Sequence, residues 1–159
     1  MVIVAATVSA TQELEAVYRQ EGDRLWRALV AFSRDPEVAS DAVAEAFAQA
    51  MRRGSAISDL PAWVWRAGFR IAAGELTRRP MTFDRIPERG YLPATADLDL
   101  LHALAQLPDK QRAAVILFYY ADAPVREISR RTGMSQLSVR ANLSRGRKRL
   151  KELLGDTDA

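Results

Sequence analysis

The chain of 159 residues contains no cysteine. Disulfides, thiolate metal centres and cysteine nucleophiles are therefore excluded. It has a single histidine, His102, so no multi-histidine metal site can be built and no metal is expected. A lone histidine in a helical pattern reads as a partly exposed helix residue. No apolar run approaches the roughly 20 residues of a membrane-spanning helix, so no membrane insertion is expected. No segment alternates apolar and polar residues as a half-buried strand does. No nucleophile–base pairing, metal cluster or glycine-rich phosphate loop is apparent. An enzyme is not expected, and no cofactor is implied. The stretch from Met1 to Ala10 is apolar, but no Lys or Arg follows Met1, so the positive start of a secretory signal is missing. It reads as a frayed tail of a cytoplasmic protein.

Hydrophobic residues make up 48% and charged residues 27% of the chain, a normal balance for a globular protein. The net charge of +3 is small, so its distribution carries more information than its sum. All segments with a clear period are helical. The first spans roughly Thr11 to Phe32, with Leu14, Val17, Tyr18, Leu25, Leu29 and Phe32 at helical spacing. Asp35-Pro36 opens a second helix, Asp35 as N-cap and Pro36 at the first helical position. Ala39, Val43, Phe47 and Ala50 form its apolar stripe, and it continues to about Met51. From Pro36 to Ala50 it carries Glu37, Asp41 and Glu45 and no base. Gly54 to Ser58 reads as a loop. Asp59 caps a third helix that stops before Pro80. Here Arg66, Arg70, Arg78 and Arg79 outnumber Glu75. An acidic helix followed by a basic one implies different partners on two faces.

Pro80, Pro87, Gly90 and Pro93 break the pattern, so residues 80–96 are expected to be a flexible linker. Leu100, Leu101, Leu104 and Leu107 then form a short apolar helix before Pro108. Asp109 to about Ala121 and Val125 to Thr132 are two more, and Ser135 to Leu154 the last.

The stretch Pro124 to Ser135 has the features of a helix-turn-helix. Pro124 starts a helix and Ile128 is its buried residue. Gly133 can take the positive φ that a tight inter-helix turn requires. Met134 plugs the turn and Ser135 caps the next helix. Val139, Leu143, Leu150 and Leu154 give that helix an inward stripe. Its outward face is Gln136, Ser138, Arg140, Ala141, Asn142 and Arg145. From Ser135 to Lys151 there are six bases and no acid, the one-signed face that phosphates require. The N-terminal half of such a helix is the end presented to base edges in a major groove. Gly146 inside it costs about 1 kcal/mol relative to Ala, which close approach of another helix or of a phosphate would explain.

Ala105-Gln106-Leu107-Pro108-Asp109-Lys110-Gln111-Arg112, the helix-turn-helix, and Leu143-Ser144-Arg145-Gly146-Arg147-Lys148-Arg149-Leu150 together resemble region 4 of extracytoplasmic-function sigma factors of the sigma-70 family. Leu14 to Arg79 resembles sigma region 2. Within it Asp41-Ala42-Val43-Ala44-Glu45-Ala46-Phe47 is similar to the acidic helix that docks on the polymerase clamp. Trp63-Val64-Trp65-Arg66 and the helix after it are similar to the part that captures and melts the downstream promoter element. The chain departs from the family at Ala44, Arg70, Gly74 and Asn142, and its loop from Gly54 to Leu60 is short.

The resemblance implies an all-α protein: a tail (1–10), a region 2-like domain (11–79), a linker (80–96), a region 4-like domain (97–155) and a tail (156–159). It implies a transcription initiation factor with core RNA polymerase, promoter DNA and an anti-sigma factor as partners. Asp41, Glu45 and Phe47 would bind polymerase. Trp65, Arg66, Arg70, Arg78 and Arg79 would bind the downstream promoter element. Gln136, Ser138, Arg140, Asn142, Arg145, Arg147 and Lys148 would bind the upstream one. The alternative is a sigma-like DNA-binding regulator, or a decoy for an anti-sigma factor, without initiation activity. How the two halves are placed relative to each other is left open by the sequence.

Overall fold

The computed structural model describes residues 2–79 and 98–155, with side chains from residue 9 onward. Among these residues there are seven α-helices and no strand. They are α1 (Val2–Ser33), α2 (Pro36–Arg53), α3 (Leu60–Arg78), α4 (Leu98–Ala105), α5 (Asp109–Tyr119), α6 (Val125–Thr132) and α7 (Gln136–Leu154), with a 3₁₀ turn at Gly54–Ala56. The whole of the expected linker (80–96) and the C-terminal tail (156–159) lie outside the described residues.

The helix ends follow from local chemistry. The Asp35 carboxylate accepts the Glu37 N–H at 2.9 Å, with Pro36 at the start of α2. The Asp59 Oδ1 accepts the Ala62 N–H at 3.2 Å, again ahead of a proline. The Ser135 Oγ accepts the Ser138 N–H at 3.1 Å and starts α7. Each bond satisfies one of the free N–H groups at a helix start. Gly133 ends α6 with φ +81°, as the turn requires.

One expected boundary and one expected core position differ. α1 does not start at Thr11 but runs from Val2. Nothing between Val2 and Thr11 breaks a helix, since Pro and Gly are absent there and Ala5, Ala6 and Ala10 favour one. At the other end Leu154 is 42% exposed, whereas Leu153 packs against the core. Over nineteen residues the 3.6-residue period drifts off a fixed spacing, so the stripe passes from Leu150 to Leu153.

α1, α2 and α3 pack together, and α4 to α7 form a second cluster around α7. The buried apolar residues nonetheless make one continuous core. It runs from Leu25, Leu29 and Phe32 of α1 through Trp65 and Phe69 of α3 to Ile116 of α5, Ile128 of α6 and Val139 of α7. The two halves therefore share an interface, made by α3 against α6 and by α1 against α4 and α5.

That interface is mostly arginine chemistry. Arg130 of α6 forms an ion pair with Asp59 at the start of α3. Arg66 of α3 donates to the Arg130 carbonyl at 3.0 Å. The Arg131 guanidinium lies 4.5 Å from the Trp65 ring centroid. Arg112 of α5, only 2% exposed, lies 4.4 Å from the Phe32 ring of α1. Arg112 also donates to the Leu107 carbonyl at 2.8 Å and to Asp109 at 2.9 Å. Burial lowers its pKa from the ordinary arginine value, and the neighbouring Asp109 partly restores it.

Candidate nucleic-acid interface

α7 has one buried and one outward face. Val139, Leu143, Gly146 and Leu150 face the core, which turns the opposite side outward. Gln136, Arg140, Arg145 and Lys148 are all exposed there. Three other residues of this group are engaged at home. Asn142 donates to the Ser138 carbonyl at 2.9 Å and to the Ser138 Oγ at 3.2 Å, which also occupies Ser138. Arg147 folds back over α5, its guanidinium 4.7 Å from the Phe118 ring and 5.4 Å from the Tyr119 ring. Arginine stacks readily on aromatic faces, and α5 offers two.

Of the two explanations for Gly146, the structure shows the close approach of another helix. A Cβ there would lie 2.8 Å from Val115 Cγ2 of α5, closer than van der Waals contact permits.

The α3 face is different. Trp65 is fully buried, its Nε1 donating to Glu21 of α1 at 3.0 Å and its ring stacked on Phe69. As placed it presents no face to a base; the half-buried aromatic at the surface is Trp63, with the Arg53 guanidinium 5.6 Å from its ring. The apolar pattern of α3 could not separate the two tryptophans, because both stand next to valine in a short amphipathic turn. Arg66 is turned into the α6 interface. Arg70 donates to Gln49 of α2 at 3.2 Å. Arg78 and Arg79 both pair with Glu75, at 2.9 and 3.8 Å. Such exposed pairs are weak and open readily.

On α2 the three candidate residues separate. Asp41 is exposed beside a recess lined by Trp26, Pro36, Glu37 and Ser40. Glu45 accepts from Gln49 at 3.1 Å and pairs with Arg52 at 3.1 Å. The hydrogen bonds from Gln49 and Arg52 hold its carboxyl below the usual glutamate value. Through Gln49 it is linked to Arg70, so one network joins α2 to α3. Phe47 is buried, edge-on to Tyr18 at 5.1 Å. Tyr18, expected in the core stripe, is instead 58% exposed. It lines a groove of about 550 Å³ between α1 and α2 with Gly22, Trp26, Ser40 and Val43. Trp26 closes the adjoining end, its Nε1 donating to the Ser40 Oγ at 3.0 Å. This groove was not foreseen, although Tyr18 and Trp26, eight residues apart on one helix, were its available signal.

Among the described residues no group of three or more His, Asp or Glu could hold a metal ion. None of the described helices is long and apolar enough to cross a membrane.

Residues 97–150 match the protein family described as Sigma-70, region 4. Over those residues, about a third of its length, the chain is similar to region 4 of the sigma-70 family. It is 26% identical over 162 aligned positions to the ECF RNA polymerase sigma factor SigE of Mycolicibacterium smegmatis. That alignment covers 92% of this chain and 63% of the relative, so the chain spans less than two thirds of SigE. Two solved structures share the fold. The sigma factor RpoE of Bartonella quintana, in complex with the anti-sigma factor NepR, superposes with a TM-score of 0.69 at 21% identity. The match covers 94% of this chain and 98% of that one. CnrH, in complex with the cytosolic domain of CnrY, gives a TM-score of 0.72 at 21% identity, covering 98% and 96%.

Proposed function

We infer that this chain is a sigma factor of the extracytoplasmic-function type, a cytoplasmic transcription initiation factor that binds core RNA polymerase and directs it to promoters. The observation that carries the reading is α7: a helix held by a helix-turn-helix, with bases and no acid from Ser135 to Lys151, most of it inside the segment that matches sigma region 4. Such a face neutralises phosphates while its first turns meet base edges. The functional units are 11–79 and 97–155, with 80–96 as the tether between them. No chemistry is catalysed. The chain acts by holding two DNA elements at once on a shared polymerase, where each weak contact gains from the other.

Asp41, Glu45 and the groove beside them form the docking surface for the polymerase. Asp41 offers a free carboxylate, and Glu45 trades Arg52 for a partner cation. Phe47 supports this surface from beneath by packing on Tyr18. On α3 the promoter contacts are Arg66, Arg70, Arg78 and Arg79. Arg66 reaches DNA only after α6 has left α3, because its guanidinium is bonded to the Arg130 carbonyl. Region 4 must therefore swing away before region 2 can capture the downstream element. An anti-sigma factor is a fitting partner for such a chain. The fold relative RpoE is bound to one, the fold relative CnrH is bound to the cytosolic domain of CnrY, and an inhibitor that favours the closed arrangement need not cover every contact.

Replacing Asp41 and Glu45 together by Arg is expected to abolish association with core RNA polymerase in a pull-down while leaving helical circular dichroism unchanged. Native-strength association by that variant would remove the docking assignment.

The burial of Trp65 favours a second reading, a sigma-like DNA-binding regulator that does not melt promoters. Run-off transcription with purified core enzyme separates the two. A promoter-dependent transcript supports the initiation factor, whereas specific duplex binding without a transcript supports the regulator.

A further inference from the structure

The helix that reads the groove carries an apolar side chain at its outermost point. Leu137, in the first turn of α7, is 77% exposed, more than Tyr18, Met51, Leu98, Tyr119 or Leu154. Isolated apolar residues on a surface ordinarily need no explanation. This one is distinguished by its setting. Val139, Leu143 and Leu150 define the buried line of α7. At 3.6 residues per turn, Leu137, Ala141, Ser144 and Lys148 fall on the opposite line. Arg140 stands on one flank of that line and Arg145 on the other, both exposed. The leucine is thus the tip of a ridge walled by cations, with small residues behind it.

A protein partner wide enough to bury Leu137 would have to accept these bases with acids. A DNA duplex accepts them with phosphates, and its major groove carries one apolar group, the C5 methyl of thymine. We propose that Leu137 is a specificity residue that recognises a thymine methyl in the upstream promoter element. The inference rests on the reading of α7 as a groove reader. The Ser135 cap makes it geometrically sound, because it fixes the first turn of α7 and with it the direction of Leu137. The neighbouring Gln136 and Arg140 are left for hydrogen bonds to adjacent base edges. Leu137 therefore adds a preference at a position that those polar side chains do not read.

The test uses the full-length chain and duplexes that it enriches from a random-sequence pool. Each thymine of the enriched site is replaced in turn by deoxyuridine, which removes the methyl and nothing else. For the native chain, one or two positions are expected to lose roughly fourfold in affinity, the worth of one buried methyl. Leu137→Ala should bind the thymine duplex that much more weakly and be indifferent to deoxyuridine at those same positions. Because Leu137 is exposed, the variant keeps its fold, checked by its melting curve. The proposal is overturned if no thymine is methyl-sensitive, or if the sensitivity survives in Leu137→Ala. It is equally overturned if Leu137→Ala weakens polymerase binding while its duplex preference is unchanged. Failure to enrich any duplex is a different result, since it removes the groove-reading role of α7 itself and Leu137 with it.

Discussion

Two glycines on helices should respond to the same substitution with opposite signs. Gly74 is exposed on α3, and a Cβ there meets nothing within 4 Å. Gly74→Ala should therefore show the bare helix propensity, a gain of about 1 kcal/mol. For a chain of this length that raises the melting temperature by roughly 2–4 °C. Gly146→Ala receives the same backbone gain but places a methyl 2.8 Å from Val115 Cγ2. Val115 is β-branched, stiff at χ1 and only 3% exposed, so it has little room to yield. Overpacking of this kind costs about 1–3 kcal/mol. The separation is short enough to place the cost near the upper end, leaving a net loss of about 1–2 kcal/mol. Urea denaturation followed by circular dichroism measures both variants, and Val115→Ala supplies the control. In that background the clash is gone, so Gly146→Ala should turn neutral or stabilising, with a coupling of at least about 1 kcal/mol. A Gly146→Ala protein as stable as Gly74→Ala, or a coupling near zero, would refute the packing argument.

Arg112→Ala should lose about 3 kcal/mol in the same assay, because it strips the Leu107 carbonyl of its donor and uncovers Phe32. Arg112→Lys should not restore it, since an ammonium cannot bridge carbonyl and carboxylate while lying flat on a ring. Arg130→Glu places like charges at the α3–α6 contact. Since the chain has no cysteine, spin labels at Gln20→Cys and Ser144→Cys report the result cleanly. The distance between labels should lengthen and broaden, and an unchanged distribution would show that this ion pair does not hold the halves together. The Glu45 carboxyl titrates below the usual glutamate value, so its bonds to Gln49 and Arg52 hold above the unfolded pKa and are lost as pH falls through the folded one. A carbon-detected NMR titration should show that low midpoint, moving back up in Gln49→Ala.

The sequence is most readable where structure is decided within a few residues. Asp35-Pro36, Asp59 and Ser135 announce their helices because a cap needs only a short side chain and the next N–H groups. Gly133 announces its turn because only the backbone is involved. The helix-turn-helix and the outward face of α7 follow from those anchors plus the helical period. What the period cannot reveal is what a helix meets across the core. Trp65 is drawn inside by Glu21 of α1, which is distant in sequence, and stacks on Phe69 one turn along α3, while Trp63 two residues earlier stays at the surface. Arg147 reads as a phosphate contact until the aromatic face of α5 is placed beneath it. Arg112 and Arg130 carry no local sign of their roles, because an arginine that crosses between helices looks like any solvated base.

Gly133 answers two demands at once. Its φ of +81° sets the angle at which α7 leaves α6, and a Cβ there would lie 3.3 Å from Arg66 Cδ of α3. Asparagine, the usual stand-in for glycine in a left-handed conformation, satisfies the first demand, but its Cβ would push the Arg66 side chain back by a few tenths of an ångström. The turn that sets the direction of α7 is also the place against which Arg66 of the other half rests. Drift at this position cannot retune one without disturbing the other, so inheritance is expected to hold it fixed even where neighbouring residues wander.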